Sequence, residues 1–173
     1  MKNVLVFCAS EPKARSNYRK TILSPIQEEM VLSCFPSERH GELRAWQEQA
    51  GGFFAWGLRG ADQRSLANWQ ALEPGDCVFG FFHFRYQVIS RLIGKAESVL
   101  FADKMWGRKK DGSTWEKIIF LLKPREVSVP ASSVYPYMYS TYRGATRIGS
   151  KRIESIIKDF GSVEAFVAKY FRG

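Results

Sequence analysis

Between Phe53 and Val129 the chain is a string of short apolar runs cut apart by turn residues, and this limits it to folds built from short strands. The sharpest cut is Glu73-Pro74-Gly75-Asp76, where proline presets φ, glycine supplies a free backbone and Asp76 is placed for an Asx turn. That turn launches Cys77 to Phe82 as a buried strand. Phe53 to Leu58 is expected as another, ending at Gly60. Val88 to Val99 is expected to follow with a bend or bulge at Gly94, and Trp115 to Leu122 is closed by Lys123-Pro124-Arg125. Val127 to Pro130 reads as an edge strand, and Val4 to Cys8 as a strand buried on both faces, stopped by the turn-rich Ala9-Ser10-Glu11-Pro12. Five or six short strands with few helices favour an α+β fold, a small curled mixed β-sheet or open barrel, over a doubly wound parallel sheet.

Helices are expected in four places. Glu38 to Ala50 contains good helix formers and stops at Gly51-Gly52, while Tyr18 to Ile22 is a shorter candidate before an irregular stretch between Pro25 and Pro36. Arg64 to Leu72 puts Leu66, Trp69 and Leu72 on one face, which makes Trp69 a core residue. In the tail, Ile153, Ile156, Ile157 and Phe160 form one apolar stripe. Val163, Phe166, Val167 and Tyr170 form a second, with Ser150 and Ser162 placed as N-caps. Short isolated helices are marginal, so this C-terminal helical hairpin is expected to dock on the barrel.

The 26 Lys and Arg against 17 Asp and Glu give a net charge of +9 and a surface that favours anions, phosphodiester backbone first among them; a merely soluble basic protein is the alternative. No apolar run approaches the ~20 residues of a spanning helix, and the amino terminus is too short for a signal-peptide core, so no membrane partner and a cytoplasmic location are expected. Cys8, Cys34 and Cys77 are odd in number, widely spaced and joined only by His40 and His83, which supports neither a metal site nor a disulfide framework. Cys8 and Cys77 read as small buried hydrophobes. No G-x-S-x-G or phosphate-loop motif occurs and the carboxylates are scattered, so a binding domain without cofactors is expected rather than an enzyme.

An aromatic and cationic set remains. Trp56 precedes Gly57, whose missing side chain lets a ring or backbone approach closely, and Trp106 falls in the polar stretch Asp103 to Gly112. There it is either a stacking surface beside four cations or a lid folded over the barrel mouth. Arg108, Lys109 and Lys110 are candidates for gripping phosphate, with a solvated charge run as the alternative. Arg59, Arg64, Arg85, Arg91 and Lys95 flank the same mouth if the fold is as expected, and Arg143, Arg147, Lys151 and Arg152 make a second basic patch. His83 either points a ring nitrogen into the slot or is buried and hydrogen-bonded.

Taken in order, Phe54-Ala55-Trp56-Gly57-Leu58, Asn68, Leu72 to Phe79 around the Pro-Gly-Asp turn, Ile93-Gly94-Lys95-Ala96, Trp106, and Trp115 to Phe120 resemble the EVE domains, which group with YTH domains among the PUA-like folds. The arrangement is also similar to the amino-terminal DNA-reading part of McrB-type modification-dependent restriction proteins. The resemblance covers roughly residues 1 to 130. It implies a reader domain over 1–148, with the hairpin of 149–173 packed on it, and a pocket that receives a methylated base flipped from DNA. N6-methyladenine is the first expectation and 5-methylcytosine the second. Trp56 and Trp106 then enclose the base, together with Gly57 and Leu58. Ser65, Asn68 and His83 are candidates for its polar edge, while Arg59, Arg85, Lys95, Arg108, Lys109 and Lys110 hold phosphate. The partners so implied are modified DNA, a nucleotide-hydrolysing motor domain and a nuclease subunit. A reader of methylated RNA, an enzyme acting on a modified base with His83 as acid or base, and a protein-interaction module are the alternatives. A methylated base is larger and less well hydrated at that edge than the plain one. An aromatic enclosure therefore discriminates by roughly 1 to 3 kcal/mol.

Overall fold

The computed structural model describes residues 3–172; Met1 and Lys2 of the amino-terminal reading and Gly173 of the expected hairpin lie outside the described residues. Among the described residues the seven strands are β1 (Val4–Cys8), β2 (Phe54–Leu58), β3 (Cys77–Phe82), β4 (Arg85–Glu97), β5 (Lys117–Leu121), β6 (Arg125–Pro130) and β7 (Ala145–Arg147). They pair in the order β2-β5-β4-β3-β1-β7, with β6 added to β4, and only β1 with β3 runs parallel. The fold is α+β with a curled mixed sheet, as the string of short runs predicts.

β4 does the curling. Its first half pairs with β3 and β6 and its second half with β5, and the register shifts between Leu92 and Gly94 where the two halves meet. A bulge bends a strand and increases its twist. Gly94 is required there because the Trp46 ring occupies the space a Cβ would need. Side chains then alternate to two cores: Leu5 and Phe7 of β1 enter one, Val4 and Val6 the other.

Helices cover both faces. α1 (Pro12–Tyr18) runs into one wider turn at Arg19–Leu23, followed by α2 (Glu28–Leu32), α3 (His40–Ala50), α4 (Gln63–Ala71) and α5 (Val99–Trp106). α6 (Ser150–Phe160) and α7 (Val163–Tyr170) form the C-terminal hairpin, and they bury Ile153, Ile156, Val163 and Phe166 in the second core beside Phe79 and Tyr86.

The structure corrects the sequence expectations in several places. Ala9 and Ser10 leave β1 without a regular turn and Glu11 bends the chain into α1, which Pro12 opens, since a proline at the first helical position gives up an N–H that would have had no partner. The stretch between Pro25 and Pro36 is not irregular throughout, because Glu28 and Glu29 start α2 where negative charge meets the positive helix end. Val99 does not end a strand; it begins α5, capped by the Ser98 hydroxyl, which accepts from Phe101 N–H at 3.0 Å. Ser162 caps α7 as expected, whereas Ser150 is already inside α6, with Gly149 in the cap position.

The β3–β4 connection is a two-residue turn in which His83 (φ 53°) and Phe84 (φ 56°) are both left-handed. Tight hairpins of this hand normally use Asn or Gly. Each non-glycine residue held there costs about 1–2 kcal/mol.

Candidate functional site

Trp56, the middle residue of the short strand β2, has one face stacked on Phe7 at 4.3 Å and 21°. Trp106, the last residue of α5, sits edge-on to Phe101 at 5.5 Å. The next residue after Trp56 is Gly57, where an added Cβ would run into the Trp106 ring and the Trp115 backbone oxygen. The glycine therefore lets three tryptophans from three segments crowd around one strand. All three line a single cavity of about 790 Å³, within the size range of small-ligand sites.

Trp106 is thus not a loop residue. Only 4% of it is exposed, and it belongs to the first core while walling the cavity. Its sequence neighbours are polar because the helix ends there. The indole N–H of Trp106 is buried and has no hydrogen-bond partner among the described residues.

Gly57, Leu58 and Ser65 also line the cavity. The Ser65 hydroxyl, however, donates to Asp62, whose carboxylate also accepts the backbone N–H groups of Arg64 and Ser65 to cap α4. The Ser65 hydroxyl chiefly, with these amides, holds the Asp62 carboxyl below the usual carboxylate range. Asn68 stands behind the wall. Its amide donates to the Ala145 carbonyl at 3.0 Å and so ties α4 to the cavity-lining strand β7.

His83 is not in the cavity. It sits at the tip of the β3–β4 turn on a separate concave shelf, because the strand carries two residues past the sheet edge before reversing. Arg85 shares that shelf and donates to the Ser128 hydroxyl and carbonyl. Lys95 is spent elsewhere: its ammonium donates to the Trp69 and Gln70 carbonyls at the end of α4, and burial lowers its pKa.

Four of the six expected phosphate-binding cations line the cavity: Arg59, Arg108, Lys109 and Lys110. Two of them are restrained by carboxylates. Arg59 donates to Asp111 at 3.1 Å and to Ser113 at 2.9 Å, and Arg108 pairs with Asp103. Lys109 and Lys110 have no ion pair among the described residues.

Several residues here were not picked out from the sequence as site residues. Trp115 had been placed within a strand, yet it precedes β5 and lines the cavity, with the Lys13 ammonium 5.3 Å from its ring centroid. Arg143 lines the opposite side. Cys8 is only half-buried and faces the cavity, 3.1 Å from the Ser10 hydroxyl, whereas Cys77 is buried as expected. Asn17, on α1, is 8% exposed and lines the cavity, and its side-chain amide makes no hydrogen bond among the described residues. Among the described residues no group of three or more His, Cys, Asp or Glu is arranged to hold a metal ion, and no helix is long and apolar enough to cross a membrane.

No protein-family model matches the chain, and no curated protein sequence matches it. Its fold is similar to that of the N-terminal domain of Thermococcus gammatolerans McrB bound to m5C DNA. The TM-score is 0.64 at 11% identity, over 92% of this chain and 98% of that one. Lower scores relate it to the Pho92 YTH domain in complex with m6A (TM-score 0.42, 13% identity, 94% and 85% covered). The YTH domain of Zygosaccharomyces rouxii MRB1 in complex with N6-methyladenosine RNA follows (0.35, 13%, 92% and 84%). The chain therefore shares the α+β fold of that McrB domain.

Proposed function

We propose that this chain is a non-catalytic reader of a methylated base in DNA, which takes the base, flipped out of its strand, into the tryptophan-walled cavity. The observation that carries this is the convergence of Trp56, Trp106 and Trp115 on one concavity, with Lys13, Lys109, Lys110 and Arg143 also lining it. Flipping costs a few kcal/mol of stacking and pairing, which backbone contacts from those cations offset. The indoles enclose the methyl group. The Asn17 amide supplies both a donor and an acceptor, the pattern needed to pair with a base edge. The McrB domain that shares this fold was solved on m5C DNA, which puts 5-methylcytosine ahead of N6-methyladenine. On this proposal residues 1–148 form the reader and the hairpin of 149–173 packs on it as part of the same unit. A motor and a nuclease are the partners such a reader would direct.

The test is a titration of duplexes carrying 5-methylcytosine, N6-methyladenine or neither, with matched RNA strands as competitors, at two salt concentrations. The expected result is a preference for one methylated duplex of roughly 5- to 150-fold, corresponding to about 1–3 kcal/mol, over a salt-dependent background. Equal affinity for all three duplexes overturns the proposal. Preference for RNA moves the reading to methylated RNA, since contacts to the 2′-hydroxyl are what favour that polymer.

A further inference from the structure

The turn that carries His83 away from the cavity has a chemistry of its own. Phe84 is 70% exposed although it occupies a left-handed position where glycine or asparagine would sit without strain. Across the same shelf lies Tyr135, 60% exposed, with the Arg152 guanidinium 5.8 Å from its ring centroid. Two solvent-facing rings flanked by arginines are a poor solution to folding and a good platform for stacking a base.

The shelf adjoins the cavity. Ser140 lines the first and Tyr142 the second, so they are at most roughly 7 Å of chain apart. From the other side, Cys8 at the cavity pairs with Phe81, and β1 and β3 run parallel. The continuations Ser10-Glu11 and His83-Phe84 therefore leave the sheet at the same edge. Arg15 joins them, donating to the Ser10 carbonyl at 2.7 Å while its guanidinium lies 5.4 Å from the Phe82 ring.

We propose that Phe84 and Tyr135 form a second stacking subsite, which takes a base neighbouring the flipped one in the same nucleic acid. The subsite rests on the reading of the cavity as a nucleic-acid site. It gives a role to a phenylalanine that stands where the backbone disfavours it. It also supplies a ring where a duplex that has lost one base from its stack exposes the next.

The experiment pairs Phe84→Gly with Phe84→Asn, both of which relieve the turn, against Trp56→Ala. Melting temperature, affinity for the methylated duplex, and the fluorescence of 2-aminopurine placed next to the methylated base are measured for each. The Phe84 variants should melt at or above the wild-type temperature. They should bind the methylated duplex about 10-fold more weakly, within the range of one lost base–ring contact, and fail to quench the neighbouring 2-aminopurine. Their preference for methylated over plain duplex should stay intact, whereas Trp56→Ala should lose it. Wild-type affinity and quenching in both Phe84 variants overturn the subsite and leave the cavity reading standing. If the wild-type protein shows no methyl preference but the Phe84 variants still bind plain strands more weakly, the cavity reading fails and the stacking shelf survives.

Discussion

The two faces of the sheet are both rich in aromatic rings, and they treat polar atoms in opposite ways. On the hairpin side, Tyr86 donates to the Tyr139 carbonyl at 3.1 Å and lies 2.6 Å from the Tyr142 hydroxyl, which accepts from Tyr139 N–H at 3.0 Å. Burial pushes the Tyr86 hydroxyl far above its ordinary range and that of Tyr142 up to about 12, so both stay protonated and paired. On the cavity side, the Trp106 N–H is buried without a partner and the Asn17 amide makes no hydrogen bond among the described residues. The interior of the hairpin-side core satisfies its polar groups internally, although Tyr142 also reaches the cavity lining, because each one left open costs about 1–3 kcal/mol. The face that leaves them open is the one with the concavity and the cations. The difference teaches where to look for a ligand better than the count of rings does.

The most severe way to break this contrast is Trp106→Ala. It removes a wall of the cavity and a member of the core together, and should cost about 3–5 kcal/mol in urea denaturation along with all methyl preference. Gly57→Ala should come next. Its Cβ would lie 2.6 Å from the Trp115 backbone oxygen and closer still to the Trp106 ring, and overpacking of this kind costs about 1–3 kcal/mol. Binding of the methylated duplex should weaken with it as the walls shift. Tyr86→Phe sharpens the comparison from the opposite face. The loss of its hydroxyl should cost about 1–2 kcal/mol, with affinity for the duplex unchanged. The sign with pH follows from the raised tyrosine pKa. Stability is fully present below the unfolded tyrosine value, about 10, and is lost as pH rises through the folded one, so the variant should show a shallower alkaline decline. If Tyr86→Phe weakens binding as much as Gly57→Ala, the division of labour between the faces is wrong.

What could be read from the chain was whatever local chemistry dictates. The Pro74-Gly75-Asp76 turn and the bulge at Gly94 each follow from a few adjacent residues, and each is found in the fold, whereas Trp56, read as standing at a strand end, is the middle residue of β2 because pairing with β5 continues through Gly57 and Leu58. α5 was hidden because its apolar residues do not keep to one face: Val99 and Leu100 are half-exposed while Phe101 and Ala102 are buried. With the helix unseen, Trp106 seemed to lie on a loop. Trp115 and Asn17 are not legible in the sequence because their role depends on segments far apart in the chain meeting around one cavity. No spacing announces that. The resemblance places His83 and Lys95 in the site, but the hairpin reversal and the end of α4 take them elsewhere.

The smallest effect belongs to Asp62, which stands at the cavity rim but works as a helix cap. Replacing it with alanine frees two backbone N–H groups at the start of α4 and should cost about 1 kcal/mol at neutral pH. Its carboxyl is held below the ordinary range by the Ser65 hydroxyl first and the backbone amides after it. The contribution is therefore complete above the unfolded carboxylate value, about 4, and disappears as pH falls through the folded one. Melting curves of wild type and Asp62→Ala should converge on acidification, while Tyr86→Phe keeps a constant offset from wild type over the same interval. Removing a negative charge from the rim should at the same time leave DNA binding as strong or slightly stronger. A variant that binds markedly more weakly would mean that Asp62 reads the base itself, and the polar edge would then pass from Asn17 to the capping carboxylate.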